Sequence, residues 1–300
     1  MERIVAFKIK ETEAGNNVKK VLEQRLKISR NFLTMLKKWP EGILLNGEAV
    51  YVDKIVKYGD NLRVQLAAPE ESSVGIIPRQ GELNIIYEDE DLLIVNKAAT
   101  VPVHPSKGHL EDSLANHLMY YYHSQKQNFV FRAVNRLDYG TSGLMAVAKN
   151  AYAHHMLSKQ LQIGILKRKY LAVCCGEVKP PLGKISSPIR QVQGEATTRR
   201  EIHVEGSTAI TNYQVLSCNN DFSLVSLHLE TGRTHQIRLH MSSIGFPLIG
   251  DFIYGKRDER IARRHGLHSS EISLYQPITH KFLSFTSALP DDLLAFCKTE

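Results

Sequence analysis

The sequence predicts an α+β protein in which a larger part with a mixed, largely antiparallel sheet follows a small αα-ββ unit. The chain has 300 residues, 43% hydrophobic and 23% charged, which is enough for about two domains. A polar stretch at residues 68–82, APEESSVGIIPRQGE, has two prolines, two glycines and no periodicity. Beyond it, strand patterns outnumber helical ones and do not alternate with them regularly. We therefore expect a first domain at 1–68, a linker at 69–82 and a second domain at 83–300.

The first domain is predicted from a change of period within 68 residues. The apolar spacing in NNVKKVLEQRLKISRNFLTMLKKW indicates two short helices broken near Ile28, with Ser29 as the cap of the second. The segment GILLNGEAVYVDKIVKYGDNLRVQL then predicts short strands with turns at Asn46–Gly47 and Gly59–Asp60. Four cations accompany the helices and form either a solvated face or a binding face: Lys27, Arg30, Lys37 and Lys38.

The second domain reads as strands interrupted by two helices. ELNIIYEDEDLLIVNK predicts two strands around a turn, and SLANHLMYYYHSQK predicts a helix capped by Ser113. LMAVAK is a predicted strand, and NAYAHHMLSKQLQIG is a predicted helix that begins at Asn150 and ends at Gly164. Four further strands are predicted in KRKYLAVCCGEV, TAITNYQVLSC, FSLVSLHLE and HQIRLHM.

The charge distribution suggests a polyanionic partner. The net charge is +7 and the pI is about 9.1; residues 1–68 carry +5 of this balance and the remainder only +2. Many basic proteins bind no nucleic acid, so the charge alone leaves both interpretations open. No run of 18 apolar residues is present, so no membrane span is expected. The N-terminus lacks a signal-peptide pattern and the four cysteines lack C-x-x-C spacing, so a cytoplasmic protein is expected.

A carboxylate stands in an unusual place in VNRLDYGTSGLMAVAKN, residues 134–150. Asp138 lies two residues after Arg136 and directly before a glycine-rich turn. An Asp in such a position is commonly a turn or capping residue. The other interpretation is that the carboxylate takes part in a reaction.

Two other segments concentrate polar or aromatic groups on predicted strands. In LETGRTHQIRLHM, Arg233 and Arg238 are five residues apart and would lie on opposite faces of a strand, one inward and the other toward a phosphate. Both could equally be ordinary surface arginines. In KRKYLA, Tyr170 follows three basic residues and is either a sheet-edge aromatic or a phenol that stacks on a planar ring.

Several reaction classes lack their signatures in this chain. The dinucleotide, P-loop and H-E-x-x-H patterns are absent, and GTSG is not a G-x-S-x-G nucleophile turn, so Ser142 is a poor candidate. His154 and His155 face adjacent directions on a predicted helix, and His235 and His240 would face opposite sides of a predicted strand. Chemistry at one carboxylate, without a metal or a nucleotide, remains.

Three segments carry a resemblance to a known family. NRLDYGTSGLMAVAKN, KRKYLAV and GRTHQIRLHMSSIGFPLIGDFIYG resemble the three motifs of the RluA/RluD-type pseudouridine synthases, in the expected order within residues 82–290. KISRNFLTMLKKWPEGILLNGEAV and KYGDNLRVQL resemble the S4 RNA-binding domain, a usual N-terminal companion. The chain departs from the family at Asn135, where His is usual, and at Tyr139, where Arg is common, so contacts there are expected to differ.

The resemblance implies a role for each matching residue. Asp138 would be the nucleophile or essential carboxylate, and Arg233 would pair with it. Tyr170 would stack on the target uracil and help remove the proton from C5. Arg136 would fill the space left by the flipped nucleotide, and Leu267 in GLHS would pack against the base.

The same resemblance implies the partners and the reaction. The protein would be an isomerase acting on a uridine in structured RNA, with ribosomal RNA favoured over transfer RNA, without a cofactor or a metal and as a monomer. RNA contacts in the S4-like unit would come from the four helical cations Lys27, Arg30, Lys37 and Lys38. Two alternatives remain at this point: a non-catalytic RNA-binding or ribosome-assembly protein on the same fold, and a hydrolase with an Asp nucleophile.

Overall fold

The computed structural model describes residues 2–68, 70–193, 199–255 and 262–297, so residue 69 of the predicted linker and the last three residues lie outside it. The strands are β1 Arg3–Lys8, β2 Ile43–Leu45, β3 Glu48–Ala49, β4 Asn61–Ala67, β5 Ile85–Glu88, β6 Leu92–Lys97, β7 Arg132–Ala133, β8 Ser142–Ala148, β9 Lys167–Cys175, β10 Leu182–Ser186, β11 Ile189–Gln191, β12 Arg200–Ile202, β13 Ile210–Cys218, β14 Phe222–Leu229, β15 Leu267–Tyr275 and β16 Phe282–Thr286. The helices are α1 Val18–Leu26, α2 Arg30–Leu36, α3 Leu114–Ser124, α4 Ala151–Gln162, α5 Gln236–Ser243 and α6 Asp291–Leu294.

The N-terminal unit is a small sheet packed on two helices. The sheet has the strand order β1-β4-β2-β3, and α1 and α2 bury their apolar stripes against it. The hydroxyl of Ser29 accepts the backbone N–H of Phe32 at 3.2 Å, which is the predicted cap. Asn46 and Gly47 have φ of 54° and 90°, the backbone that the two-residue hairpin between β2 and β3 requires. The N-terminal segment, whose residues alternate as in a strand, adds β1 to the αα-ββ unit and pairs with β4 along its whole length.

The second sheet confirms the predicted fold class. Its described strands run in the order β10-β13-β14-β9-β15-β8-β6-β5, with β7 beside β8 and β16 beside β15. Among the strand pairs of the described chain, β15 with β8 is parallel and the others are antiparallel. No helix within the described ranges is long and apolar enough to cross a membrane.

Each face of this sheet is covered by different elements, because side chains alternate along a strand. On β6, Leu93 and Val95 join the cluster that contains apolar residues of α3 and α5. Their neighbours Leu92 and Ile94 join a second cluster with α4 on the opposite face. The helices α3 and α5 therefore cover one face and α4 covers the other.

The segment HQIRLHM was predicted as a strand, and this prediction is wrong. Residues Gln236–Ser243 form α5, and its buried positions include Ile237, Arg238 and Met241, which follow a helical spacing. Apolar residues at 237, 239 and 241 imitate a strand period because Arg238, a polar residue, occupies part of the buried face. The contacts that bury it explain the failure, since they come from segments distant in sequence.

The N-terminal unit packs directly on α4. The hydroxyl of Tyr152 donates to the carbonyl of Leu26, and its ring lies 5.3 Å from that of Phe32. Arg3 adds an ion pair with the buried Asp91 at 2.8 Å. Because α4 covers the face opposite α3 and α5, the N-terminal unit also lies on that side.

Candidate active site

Asp138 lies in the loop between β7 and β8, and the turn does not use its side chain. The backbone carbonyl of Asp138 accepts the N–H of Thr141 at 3.0 Å and closes the turn. No backbone N–H of the described residues donates to the carboxylate, so forming the turn does not account for an acidic residue here. Its side chain is 27% exposed and therefore reachable.

The loop lies unusually close to the segment around β15. A Cβ on Gly140 would lie 2.8 Å from Cε1 of His265. Gly143 has a φ of +110°, and a Cβ there would collide with the backbone of Ser269. Both glycines of the GTSG segment are therefore needed for the close approach that fixes the loop.

Arg238 is the guanidinium that holds the carboxylate. Its Nη1 donates to Oδ2 of Asp138 at 3.2 Å. Its Nε and Nη2 make a bidentate pair with the buried Asp251 at 2.7 and 2.8 Å, so the group is fixed from behind. Burial opposes the charge of Arg238, but Asp251 and Asp138 outweigh that cost and raise its pKa.

The predicted pairing of Arg233 with Asp138 is wrong. Arg233 is exposed, its Nε donates to the carbonyl of Thr208 at 3.0 Å, and no ion pair joins it to Asp138. It lies in the loop before α5, where Gln236 accepts its backbone N–H at 3.0 Å. Helical geometry at Gln236–Ser243 brings Arg238 to the carboxylate instead.

His235 is a second neighbour of the carboxylate, and its two ring nitrogens face different partners. Its Nε2 lies 3.8 Å from Oδ2 of Asp138, and its Nδ1 lies 2.9 Å from the hydroxyl of Tyr254. The Tyr254 oxygen accepts the backbone N–H of Arg200 at 2.8 Å, so its own proton is free to go to Nδ1. Nε2 then carries the ring proton and faces Asp138.

Both of these contacts fall on one oxygen of the carboxylate. Arg238 and His235 approach Oδ2, whereas Oδ1 has no hydrogen-bond partner among the residues that the structure describes. Burial lowers the pKa of His235, with Asp138 opposing that shift, so the ring is neutral near pH 7. The arrangement leaves Oδ1 available to react.

Lys97, at the end of β6, supports the loop from below. Lys97 is 2% exposed, and its ammonium donates to the carbonyls of Ala98 and Val101 at 2.8 Å each and, at 3.4 Å, to that of Tyr139. Burial lowers the pKa of Lys97 to about 7, and the nearby Asp138 opposes that shift.

Arg264 ties the same loop to β15. Its Nη1 donates to the carbonyl of Gly140 at 3.1 Å and to that of Leu267 at 3.2 Å. Thr141 and His265 add a side-chain hydrogen bond of 2.7 Å across the same junction. The Asp138 loop is thus pinned to both β6 and β15.

Tyr170 and Leu267 are diagonal neighbours on one face of the sheet. Tyr170 on β9 is opposite Ser269, and Leu267 on β15 is opposite Ala172. They are 4% and 5% exposed and belong to the cluster that also contains Leu137, next to Asp138. The structure therefore brings the predicted aromatic and apolar positions together, in a cluster that also includes the residue before Asp138.

The other predicted positions are found in three different surroundings. Arg136 is exposed beside Asp138. Asn135 is buried, and its side-chain oxygen accepts the N–H of Ala146 at 2.9 Å, so this departure from the family pattern ties the loop to β8. Tyr139 is 47% exposed, with its ring 5.0 Å from that of His109.

The four helical cations of the N-terminal unit are all on the surface. Lys27 is the C-cap of α1 with a φ of 55°, Arg30 opens α2 and Lys37 ends it. Lys38 follows directly, and all four are exposed. Within the described ranges, no group of three His, Cys, Asp or Glu side chains is placed to hold a metal ion.

Sequence reasoning named Arg238 and His235 but did not place them beside Asp138, and it missed Lys97 and Asp251. Arg238 and Asp251 are both inside the third motif-like segment, GRTHQIRLHMSSIGFPLIGDFIYG, so their presence there was a usable signal. Lys97 had only one sign, a charged residue that ends an otherwise apolar strand run, LLIVNK.

Comparison with known proteins identifies the family. A family model described as RNA pseudouridylate synthase matches residues 91–243. An uncharacterized RNA pseudouridine synthase of Bacillus subtilis, YhcT, is 38% identical over 295 residues, covering 97% of this chain and 95% of that protein. Ribosomal large subunit pseudouridine synthase D of Pasteurella multocida is 32% identical over 274 residues, covering 86% and 84%.

A solved structure agrees with these sequence matches. Human RNA pseudouridylate synthase domain containing 1 superimposes with a TM-score of 0.57 at 27% identity, covering 73% of this chain and 86% of the human chain. The chain belongs to the RNA pseudouridylate synthase family, whose members are isomerases that convert uridine to pseudouridine in RNA.

Proposed function

We propose that this protein isomerises a uridine of ribosomal RNA with Asp138 as the essential carboxylate. The reaction breaks the bond between N1 and C1′, turns the uracil and joins C5 to C1′; C5 then loses its proton and N1 takes one up. The atoms of substrate and product are the same, so neither an oxidant nor a group donor is consumed and no cofactor is needed.

The anchoring of Asp138 through one oxygen carries this proposal. Arg238 contacts Oδ2 at 3.2 Å, whereas Oδ1 faces no partner among the described residues. The guanidinium of Arg238 places a positive charge beside the negative charge that a nucleophilic carboxylate carries. The same contact fixes the direction of the free oxygen, which supplies orientation.

The surrounding side chains fit a flipped uridine. Extruding a nucleotide from a stack costs a few kcal/mol. Arg136 is exposed beside Asp138 and would fill the gap in the RNA, while Tyr170 would stack on the base at a gain of about 1–3 kcal/mol. Leu267 is the diagonal neighbour of Tyr170 and would complete the apolar wall.

The choice of ribosomal RNA rests on the named relatives and on the N-terminal unit. Several relatives bear the name ribosomal large subunit pseudouridine synthase D. The unit at residues 1–68 resembles an S4 domain and exposes Lys27, Arg30, Lys37 and Lys38, which would contact the RNA backbone. We expect the protein to act as a monomer in the cytoplasm.

Pseudouridine mapping of total RNA from cells with and without the gene tests this function. We expect one or a few ribosomal RNA positions to lose pseudouridine and to regain it when the gene is restored. An unchanged map would contradict catalysis and favour a non-catalytic RNA-binding protein. Loss confined to transfer RNA would support the isomerase and contradict the ribosomal substrate.

A further inference from the structure

Arg200, the first residue of β12, carries a guanidinium without a partner in the part of the chain that the structure describes. Its backbone N–H donates to the hydroxyl of Tyr254 at 2.8 Å, which fixes the main chain. Its side chain makes no hydrogen bond or ion pair with any residue of the described ranges, and Nη1 is shielded from solvent. Burying part of a cation without an acceptor costs free energy, so this position needs a reason outside the fold.

Two other arginines, Arg190 and Arg238, are each paired with carboxylates. Arg190, on the strand paired with β12, contacts Glu201 at 2.8 Å and Glu205 at 3.2 Å. Arg238 contacts two carboxylates, Asp251 and Asp138. No carboxylate of the described residues pairs with Arg200 in this way.

A cavity of about 520 Å³ lies against Arg200. Its size falls within the range of about 300–1,000 Å³ that small-ligand sites occupy. The lining includes Arg200, Ser242, Tyr254 and the apolar Leu239 and Ile253, together with Glu201, whose carboxylate is paired with Arg190. A cation with apolar walls suits a phosphate attached to a sugar and a base.

The cavity adjoins the candidate active site. Tyr254 lines it, and the Tyr254 hydroxyl lies 2.9 Å from Nδ1 of His235, whose Nε2 faces Asp138 at 3.8 Å. The helix α5 contributes residues to both sites: Arg238 contacts Asp138, and Leu239 and Ser242 line the cavity. Along this path, His235 and Tyr254 separate the two sites.

We propose that this cavity is a subsite for the nucleotide next to the target uridine and that Arg200 binds the phosphate joining the two. The proposal rests on the proposed function, since the ligand is the same RNA strand. It gives Arg200 the acceptor that the described chain does not supply, because a guanidinium and a phosphate match in charge and in geometry.

Salt-dependent binding of a substrate RNA stem-loop is the first test. Each neutralised phosphate contributes about 0.7–0.9 to the slope of log K against log salt. Arg200→Gln should lower that slope by about this amount and weaken binding about tenfold. Arg190→Gln is the matched control, because Arg190 lies on the same ribbon but is already neutralised by two glutamates. An equal effect of the two variants, or no effect of Arg200→Gln, would overturn the proposal.

Thermal unfolding of the same two variants distinguishes binding from a structural role. Arg200→Gln removes a cation that no described residue pairs with, so the midpoint should stay unchanged or rise. Arg190→Gln breaks two ion pairs and should lower it. A lower midpoint for Arg200→Gln than for Arg190→Gln would make Arg200 a structural residue and contradict the subsite.

RNA with one neutral methylphosphonate locates the contact. The substitution is made at the phosphate 5′ or 3′ of the target uridine, and binding is measured with wild-type protein and with Arg200→Gln. We expect one of the two positions to weaken wild-type binding but to leave Arg200→Gln unaffected. Equal penalties in both proteins would contradict the assignment. If inorganic phosphate bound the wild-type protein as well as the RNA does and displaced it, the cavity would be a site for free anions and not a nucleotide subsite.

The binding experiments measure RNA affinity and not turnover, so they remain informative if the isomerase assignment fails. Tritium release from wild-type protein on the same RNA tests the isomerase separately. If the wild-type protein releases tritium and Arg200→Gln binds RNA as tightly as the wild type, the isomerase assignment stands and only the subsite is overturned.

Discussion

At the scale of single residues, Arg238 and not Arg233 supplies the guanidinium that contacts Asp138. Arg238 reaches Oδ2 of Asp138 at 3.2 Å and is locked by Asp251, whereas Arg233 is exposed and bound to a backbone carbonyl. We expect Arg238→Lys to lower the single-turnover rate of tritium release at least tenfold, because a lysine cannot keep both carboxylates. Arg233→Lys should lower it less.

Circular dichroism and thermal melts should accompany these two variants. Arg238→Lys weakens the partner of the buried Asp251, so some loss of stability is expected, and rates are to be compared below its melting range. A larger rate loss in Arg233→Lys than in Arg238→Lys would contradict the pairing that we describe.

The tautomer of His235 makes a second residue-scale prediction. The side-chain amide nitrogen of Gln reaches the position of Nε2, whereas that of Asn reaches the position of Nδ1. His235→Gln should keep a donor facing Asp138, and His235→Asn should lose it and slow the single-turnover rate about 10- to 100-fold at unchanged RNA affinity.

His240→Gln is the matched control for these variants. His240 is on the same helix and is buried, but it contacts Thr211 and Ser187 instead of Asp138. Its rate should stay near wild type. Equal rates for His235→Asn and His235→Gln would contradict the donor role.

Residue type and local spacing drew attention to Asp138 and Tyr170, and the family resemblance supplied their expected roles, but neither identified the guanidinium that contacts the carboxylate. That choice depends on whether the backbone after Arg233 is extended or helical. The hydrophobic pattern of HQIRLHM fitted both a strand and a helix, because the polar Arg238 is buried. Its partners Asp251 and Asp138 come from other parts of the chain. Contacts over such separations leave no trace in a local hydrophobic pattern.

At the scale of elements, caps and turns were the most predictable features. Ser29, Ser113 and Asn150 each cap a helix as expected, since each side chain accepts a backbone N–H of the first turn. The pairing of β15 with β8 and β9 could not be foreseen, because it joins segments more than 90 residues apart. That pairing positions Leu267 and fixes the position of the loop that carries Asp138.

The cap of α4 gives an element-scale prediction. Asn150 accepts the N–H of Ala153 at 2.8 Å and donates to the buried Asp91 at 2.9 Å, so it serves both the helix and the ion pair with Arg3. Asn150→Ala should lower the free energy of unfolding by about 1–2 kcal/mol. Ser29→Ala, which removes an exposed cap with one bond of 3.2 Å, should cost less in the same denaturant titration. A stability unchanged in Asn150→Ala would contradict this role of the cap.

At the scale of the whole molecule, the N-terminal unit is joined to the rest of the chain by α4. Tyr152 and Met156 of α4 belong to the same buried cluster as the core of that unit. Deleting residues 1–68 would therefore expose apolar surface as well as remove cations. Charge removal without deletion is the cleaner way to examine RNA binding.

Neutralising the exposed helical cations tests the RNA-binding role of this unit. The variant changes Lys27, Arg30, Lys37 and Lys38 together to Gln. We expect weaker RNA binding and a shallower salt dependence, by about 0.7–0.9 for each phosphate that is no longer neutralised. The control changes Lys179 and Lys184, which pair with Glu177 and Glu230 in the second unit, and should leave the slope unchanged. An unchanged slope in the fourfold variant would show that this face does not bind the RNA.

Single-turnover tritium release by Asp138→Asn is the most direct measurement of the central claim. The amide preserves the shape of the side chain but removes the negative charge that contacts Arg238 and that the proposed mechanism requires. The account predicts no release above background from RNA labelled at C5 of the target uridine, with RNA affinity within a few-fold of wild type. Measurable turnover by Asp138→Asn would contradict it.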